Sequence, residues 1–126
     1  MSRTALVVDD SISMRQMVCH TLSRAGFQTI EAGNGAEGLK QLDGAGRSGK
    51  RVDLIITDLN MPVMDGIEFI RQVRSLDQAR YTPVLMLTTE SSGDKKMQGK
   101  AAGATGWIVK PFDPARLVEV IGRVLP

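Results

Sequence analysis

Leu54-Ile55-Ile56-Thr57-Asp58 is a run of four uncharged residues, three of them β-branched, stopped by a carboxylate. A short apolar run bounded in this way is the pattern of a strand buried on both faces, as in a parallel sheet. The pattern recurs three times. Ala5-Leu6-Val7-Val8 ends in Asp9-Asp10, Val84-Leu85-Met86-Leu87 ends in Thr88-Thr89, and Trp107-Ile108-Val109 ends in Lys110. In an open α/β sheet the strand C-termini border the crevice where ligands bind. The four runs therefore bring three carboxylates, a hydroxyl and an ammonium to one small space. That set suits one divalent cation and one phosphoryl group.

On either side of this run, strand and helix patterns alternate five times along the chain. The expected strands are 4–9, 27–32, 52–58, 83–88 and 106–110, and the expected helices are 12–25, 36–43, 66–76, 92–102 and 113–125. Helix 1 carries inward residues Met14, Met17, Val18 and Leu22, with Gly26 as its stop. Helix 2 turns Leu39 and Leu42 inward, and helix 3 turns Ile67, Ile70, Val73 and Leu76. Helix 5 has the clearest period, Leu117, Val120, Ile121, Val124 and Leu125, behind an Asp113-Pro114 start. Asp65 is placed to cap helix 3. The glycine-rich stretch 43–51 is expected to be a loop. Helix 4 is poor: Gly93, Gly99 and Gly103 interrupt it, and Met97 and Ala101 are its inward candidates. Repeated βα units of this size imply parallel strands, right-handed crossovers and helices on both faces.

The 126 residues, 42% apolar and 24% charged, suit one domain, taken as 1–126, with a single core. A net charge of +2 gives no argument for nucleic acid, and the Arg47, Lys50, Arg51 cluster is expected to be a solvated loop. The single Cys19 excludes an internal disulfide and fits a reducing compartment. With no signal-peptide pattern and no apolar run of about 18 residues, the expectation is a cytoplasmic protein with no membrane segment.

If strands 1 and 3 are neighbours, about 4.8 Å apart, Asp9, Asp10 and Asp58 crowd together and call for a cation. Oxygen-only donors point to Mg²⁺, with Mn²⁺ as the alternative, rather than zinc. Lys110 is placed to pair with Asp58 and with oxygens of an added phosphoryl group. The plainer alternative makes Asp9 and Asp10 caps of helix 1 and Asp58 a turn cap. Three acids, each at a strand tip, weigh against it.

Four ordered stretches carry a resemblance: Val7-Val8-Asp9-Asp10-Ser11, Thr57-Asp58-Leu59-Asn60-Met61-Pro62-Val63-Met64-Asp65-Gly66, Met86-Leu87-Thr88-Thr89-Glu90, and residues 101–112 from Ala101 to Phe112. Together the chain resembles bacterial response-regulator receiver domains, in particular the single-domain, CheY-like receivers of chemotaxis. The resemblance implies a flavodoxin-like three-layer α/β sandwich, with a five-stranded parallel sheet of order 2-1-3-4-5 and five helices. It implies that Asp58 is the phosphoacceptor, charged by a sensor histidine kinase (CheA-like) or by acetyl phosphate. Asp10, Asp58 and the backbone carbonyl of Asn60 are implied as direct Mg²⁺ ligands, with Asp9 acting through water. Thr88 and Lys110 are implied to hold phosphoryl oxygens, Thr88 and Trp107 to form the switch, and Asn60 and Glu90 to tune dephosphorylation. The Lys110-Pro111 bond is implied to be cis.

The implied partners beyond the kinase are a downstream protein, such as the flagellar motor switch, and a phosphatase. The implied output surface is helix 4, strand 5 and helix 5 of a monomer with no enzymatic activity beyond its own phosphorylation and dephosphorylation. A phosphorelay carrier or phosphate sink is the alternative within the family. A metal-dependent aspartyl phosphatase is disfavoured, because its acids are two apart on the first strand and here Asp9 and Asp10 are adjacent. Trp107 stands where the family commonly has Tyr or Phe, so either the pocket is larger here or the ring stays partly outside it.

Overall fold

The computed structural model describes residues 3–125. The chain runs β1 (Arg3–Val8), α1 (Ile12–Arg24), β2 (Phe27–Ala32), α2 (Gly35–Arg47), β3 (Leu54–Thr57), α3 (Gly66–Arg74), a 3-10 turn at Asp77–Ala79, β4 (Val84–Thr88), α4 (Gly93–Ala102), β5 (Gly106–Val109) and α5 (Pro114–Val124). The strands form one parallel sheet in the order β2-β1-β3-β4-β5. This is the expected flavodoxin-like arrangement.

Two cores follow from the period of two along each strand. Leu6, Val8, Ile55, Val84 and Met86 face one side, against Leu42 of α2 and Phe69, Ile70 and Val73 of α3. Ala5, Val7, Leu54, Ile56, Leu85 and Leu87 face the other, against Val18 and Leu22 of α1 and Leu117 and Ile121 of α5. The central strands are therefore buried on both faces, which explains their continuous apolar runs.

Ser11, Asn34, Asp65, Ser92 and Asp113 each accept a backbone N–H in the first turn of the helix they precede. Such a cap stabilises a helix by about 1 kcal/mol. It also fixes where each helix leaves the functional edge of the sheet. Register levels the strand tips: Val8 lies opposite Thr57, and Thr88 opposite Val109.

Several sequence expectations change. Residues 43–51 are not all loop, because α2 continues to Arg47. Ala45 is buried one turn beyond Leu42, and an Asp43–Arg47 ion pair spans the added turn. Burial outweighs the glycines at 44 and 46, whose low propensity suggested a loop. Met17 is 55% exposed although its spacing fits the inward stripe. In α4 the expected inward residues Met97 and Ala101 are exposed, while Gly99 is buried and Ala102 packs against the core. Phe69, fully buried, was absent from the expected helix 3 stripe.

Candidate functional site

Asp9, Asp58 and Lys110 each lie one residue beyond the end of a strand, so the sheet itself aims them at one point. The backbone continues the ladder there: Asp58 N–H donates to the Val8 carbonyl at 3.0 Å, and Lys110 N–H to the Thr88 carbonyl at 2.8 Å. Carboxylate oxygens of Asp9, Asp10 and Asp58 all lie within 4.8 Å of one another. Asp9 is buried, Asp58 half-buried and Asp10 exposed.

The Lys110 ammonium bridges two of these acids. Its Nζ donates to Asp9 Oδ2 at 2.9 Å and to Asp58 Oδ2 at 3.1 Å. The remaining oxygens are also engaged: Asp9 Oδ1 accepts from the Ser11 N–H at 2.9 Å, and Asp58 Oδ1 from the Leu59 N–H at 2.7 Å. Burial alone would pull the lysine pKa down. The Asp9 hydrogen bond and the Asp58 and Asp9 charges outweigh it, so the net shift is upward and Lys110 is a fixed cation. Three carboxylates against one ammonium leave two surplus negative charges. Hard oxygen donors with that surplus fit one divalent cation such as Mg²⁺.

Gly66 packs tightly against the Asp58-Leu59 main chain. Its N–H donates to the Leu59 carbonyl at 2.8 Å, and a Cβ there would strike the Asp58 carbonyl oxygen. The turn before it carries Val63 at φ 72°, 82% exposed. A β-branched residue rarely adopts that backbone region. Asn60 is exposed, two residues beyond Asp58.

Thr88 is fully buried at the β4 tip, and its Oγ1 accepts from the Glu90 N–H at 3.3 Å. The Glu90 carboxylate turns to the Ser92 N–H at 3.0 Å, which holds its pKa below the usual carboxylate range. Trp107 is half-buried, and its indole Nε1–H donates to the Glu90 carbonyl at 3.0 Å. The Lys110-Pro111 bond is cis, as the resemblance implied. Arg15, which sequence reasoning passed over, holds the first strand tip: its Nη1 donates to the Asp9 carbonyl at 2.7 Å and its Nε to Glu31 at 2.9 Å. A basic residue one turn into α1 was the available signal.

A cavity of about 710 Å³ lies among Arg3, Arg51, Tyr81 and Arg123 at the opposite edge of the sheet, and none of the site residues lines it.

The sequence pattern of the response regulator receiver domain matches residues 5–122. The chain belongs to the response regulator receiver domain family. As a receiver it is 39% identical over 121 residues to chemotaxis protein CheY1 of Helicobacter pylori, covering 95% of this chain and 94% of that protein. It is 38% identical over 120 residues to chemotaxis protein CheY of Pseudomonas aeruginosa, covering 94% and 93% of the two chains. The solved structure of Vibrio cholerae chemotaxis protein CheY4 superposes with a TM-score of 0.90 at 52% identity, covering 99% of this receiver and 100% of that chain. Among the described residues no helix is long and apolar enough to cross a membrane.

Proposed function

We propose that this receiver is a signalling domain that accepts a phosphoryl group on Asp58 and relays the event through a protein contact, in chemotaxis. The observation that carries the proposal is the Lys110 ammonium clamped between Asp9 and Asp58 within the three-acid cluster. An Asp58 oxygen attacks the phosphorus of a phosphohistidine on a CheA-like kinase. The P–N bond breaks and the imidazole leaves, taking up a proton. Asp10, Asp58 and the Asn60 carbonyl would hold Mg²⁺ directly, with Asp9 acting through water. Held there, the ion would supply neutralisation of charge on the phosphoryl oxygens.

Lys110 follows the phosphoryl oxygens from its present partners, and the Thr88 hydroxyl donates to another. This is catalysis by positioning and charge, with little covalent work for the protein. Asn60 and Glu90 flank the acyl phosphate and shape access of water, giving a short-lived state. The output passes through α4, β5 and α5 to a target such as the flagellar motor switch, and a phosphatase resets it. The protein works in the cytoplasm as a monomer and catalyses only its own phosphorylation and dephosphorylation.

The test is incubation with acetyl phosphate and Mg²⁺, followed by location of the acid-stable, base-labile label. Wild type should take one phosphoryl group per chain and Asp58→Asn none. Equal labelling of Asp58→Asn would defeat the reading.

A further inference from the structure

We infer that Gly99 seats Trp107, and that the seated indole holds the main chain at Glu90 before any phosphoryl group arrives. Among the described residues of α4, Gly99 is the one that is buried. A glycine inside a helix is unfavourable relative to alanine, so it needs a reason. The backbone supplies none, since Gly99 is not among the glycines at positive φ. Packing supplies one: a Cβ at Gly99 would sit 2.7 Å from Cζ3 and 3.2 Å from Cε3 of Trp107. The six-membered ring therefore lies against the bare Cα. This is the enlarged pocket that an indole at position 107 requires.

The five-membered ring of the same indole is also fixed. Nε1–H donates to the Glu90 carbonyl at 3.0 Å, and the Glu90 N–H in turn donates to Thr88 Oγ1 at 3.3 Å. A helix contact, a ring and a strand-tip hydroxyl are joined in one chain. A phenyl ring at 107 has no N–H to make the middle link. The ring is held inward in the protein as it stands, so Gly99 acts as a positioning residue. Through Trp107 it sets where the Glu90 segment lies beside the acyl phosphate. This last step rests on the function proposed above, whereas the seat itself does not.

The experiment compares Gly99→Ala, Trp107→Ala and the double variant with Gly122→Ala, a helical glycine of α5 whose Cβ would meet nothing within 4 Å. In unphosphorylated protein, acrylamide quenching of the sole tryptophan should rise about twofold in Gly99→Ala and stay at the wild-type value in Gly122→Ala. Gly99→Ala should lower the urea midpoint when Trp107 is present and raise it when position 107 is Ala. A Gly99→Ala protein that fails to fold, while the double variant folds, supports the seat equally. After loading with acetyl phosphate, the decay rate of the acyl phosphate should change about threefold in Gly99→Ala and not in Gly122→Ala. Unchanged quenching with a raised midpoint in both backgrounds overturns the seat. Altered quenching with unaltered decay overturns the link to Glu90. Failure of wild type to take a phosphoryl group would sink the functional reading alone and leave the quenching and midpoint results to judge the seat.

Discussion

Replacing Gly66 by alanine puts one methyl group where the Asp58-Leu59 main chain leaves no room. The added Cβ would overlap the Asp58 carbonyl oxygen and stand 3.0 Å from Leu59 Cα and 3.1 Å from the Asp58 carbonyl carbon. All three are backbone atoms, so no side-chain rotation relieves the contact. The Gly66 N–H to Leu59 carbonyl bond, 2.8 Å, spans the same loop and is stretched by any retreat. Overpacking of a rigid site costs about 1–3 kcal/mol, and weakening that hydrogen bond adds about 1 kcal/mol. Alanine's better helix propensity returns up to about 1 kcal/mol at the start of α3. The net expectation is a loss of about 2 kcal/mol, which lowers a urea midpoint by about 1 M at a slope of about 2 kcal/mol/M. The displaced atoms belong to Asp58 itself, so labelling by acetyl phosphate should fall with stability. Equilibrium unfolding of the purified variant gives the answer. A midpoint at or above wild type, with labelling intact, would refute the steric argument.

Three further outcomes follow from the geometry. Lys110→Met leaves the buried Asp9 and the half-buried Asp58 without their counter-charge, so it should destabilise by about 3 kcal/mol without divalent cations and by less with Mg²⁺; equal midpoints for wild type and variant in chelator would count against the clamp. Val63→Asn relieves a β-branched residue at φ 72° that is 82% exposed and loses little packing. It should therefore stabilise by about 1 kcal/mol in the same unfolding assay, and a lowered midpoint would show that the valine is held by contacts. Cys19 has its thiol pKa raised, first by burial and then by Glu31, against smaller opposing effects from Thr29 and Arg15. A raised folded-state pKa means stability present at neutral pH and lost as pH climbs through that pKa. Alkylation of the folded protein by iodoacetamide should accordingly reach half its limiting rate above the free-thiol value of about 8.5, and a half-point below it would contradict the burial.

Residue order alone marked the buried strands and the acids at their tips, while the order of the strands in the sheet came from the family resemblance. Four apolar runs that each stop at a polar residue mark buried strands and, in the same stroke, place Asp9, Asp58, Thr88 and Lys110 at their ends. Capping residues such as Asp65 and Asp113 were equally legible, because a cap is a local hydrogen bond between neighbours in the chain. The packed fold settled what local pattern could not carry. The last turn of α2 forms because Ala45 finds a buried place, a gain no propensity contains. Met17 and Met97 fit an inward spacing yet face solvent, since spacing names a stripe and only the packed neighbours say whether anything covers it. Glycine 99 looked like a flaw in a weak helix until the fold laid Trp107 across it. Chain neighbours set hydrogen bonds and periodicity, while contacts between residues distant in sequence set which volumes are filled, and those are fixed only when the layers close.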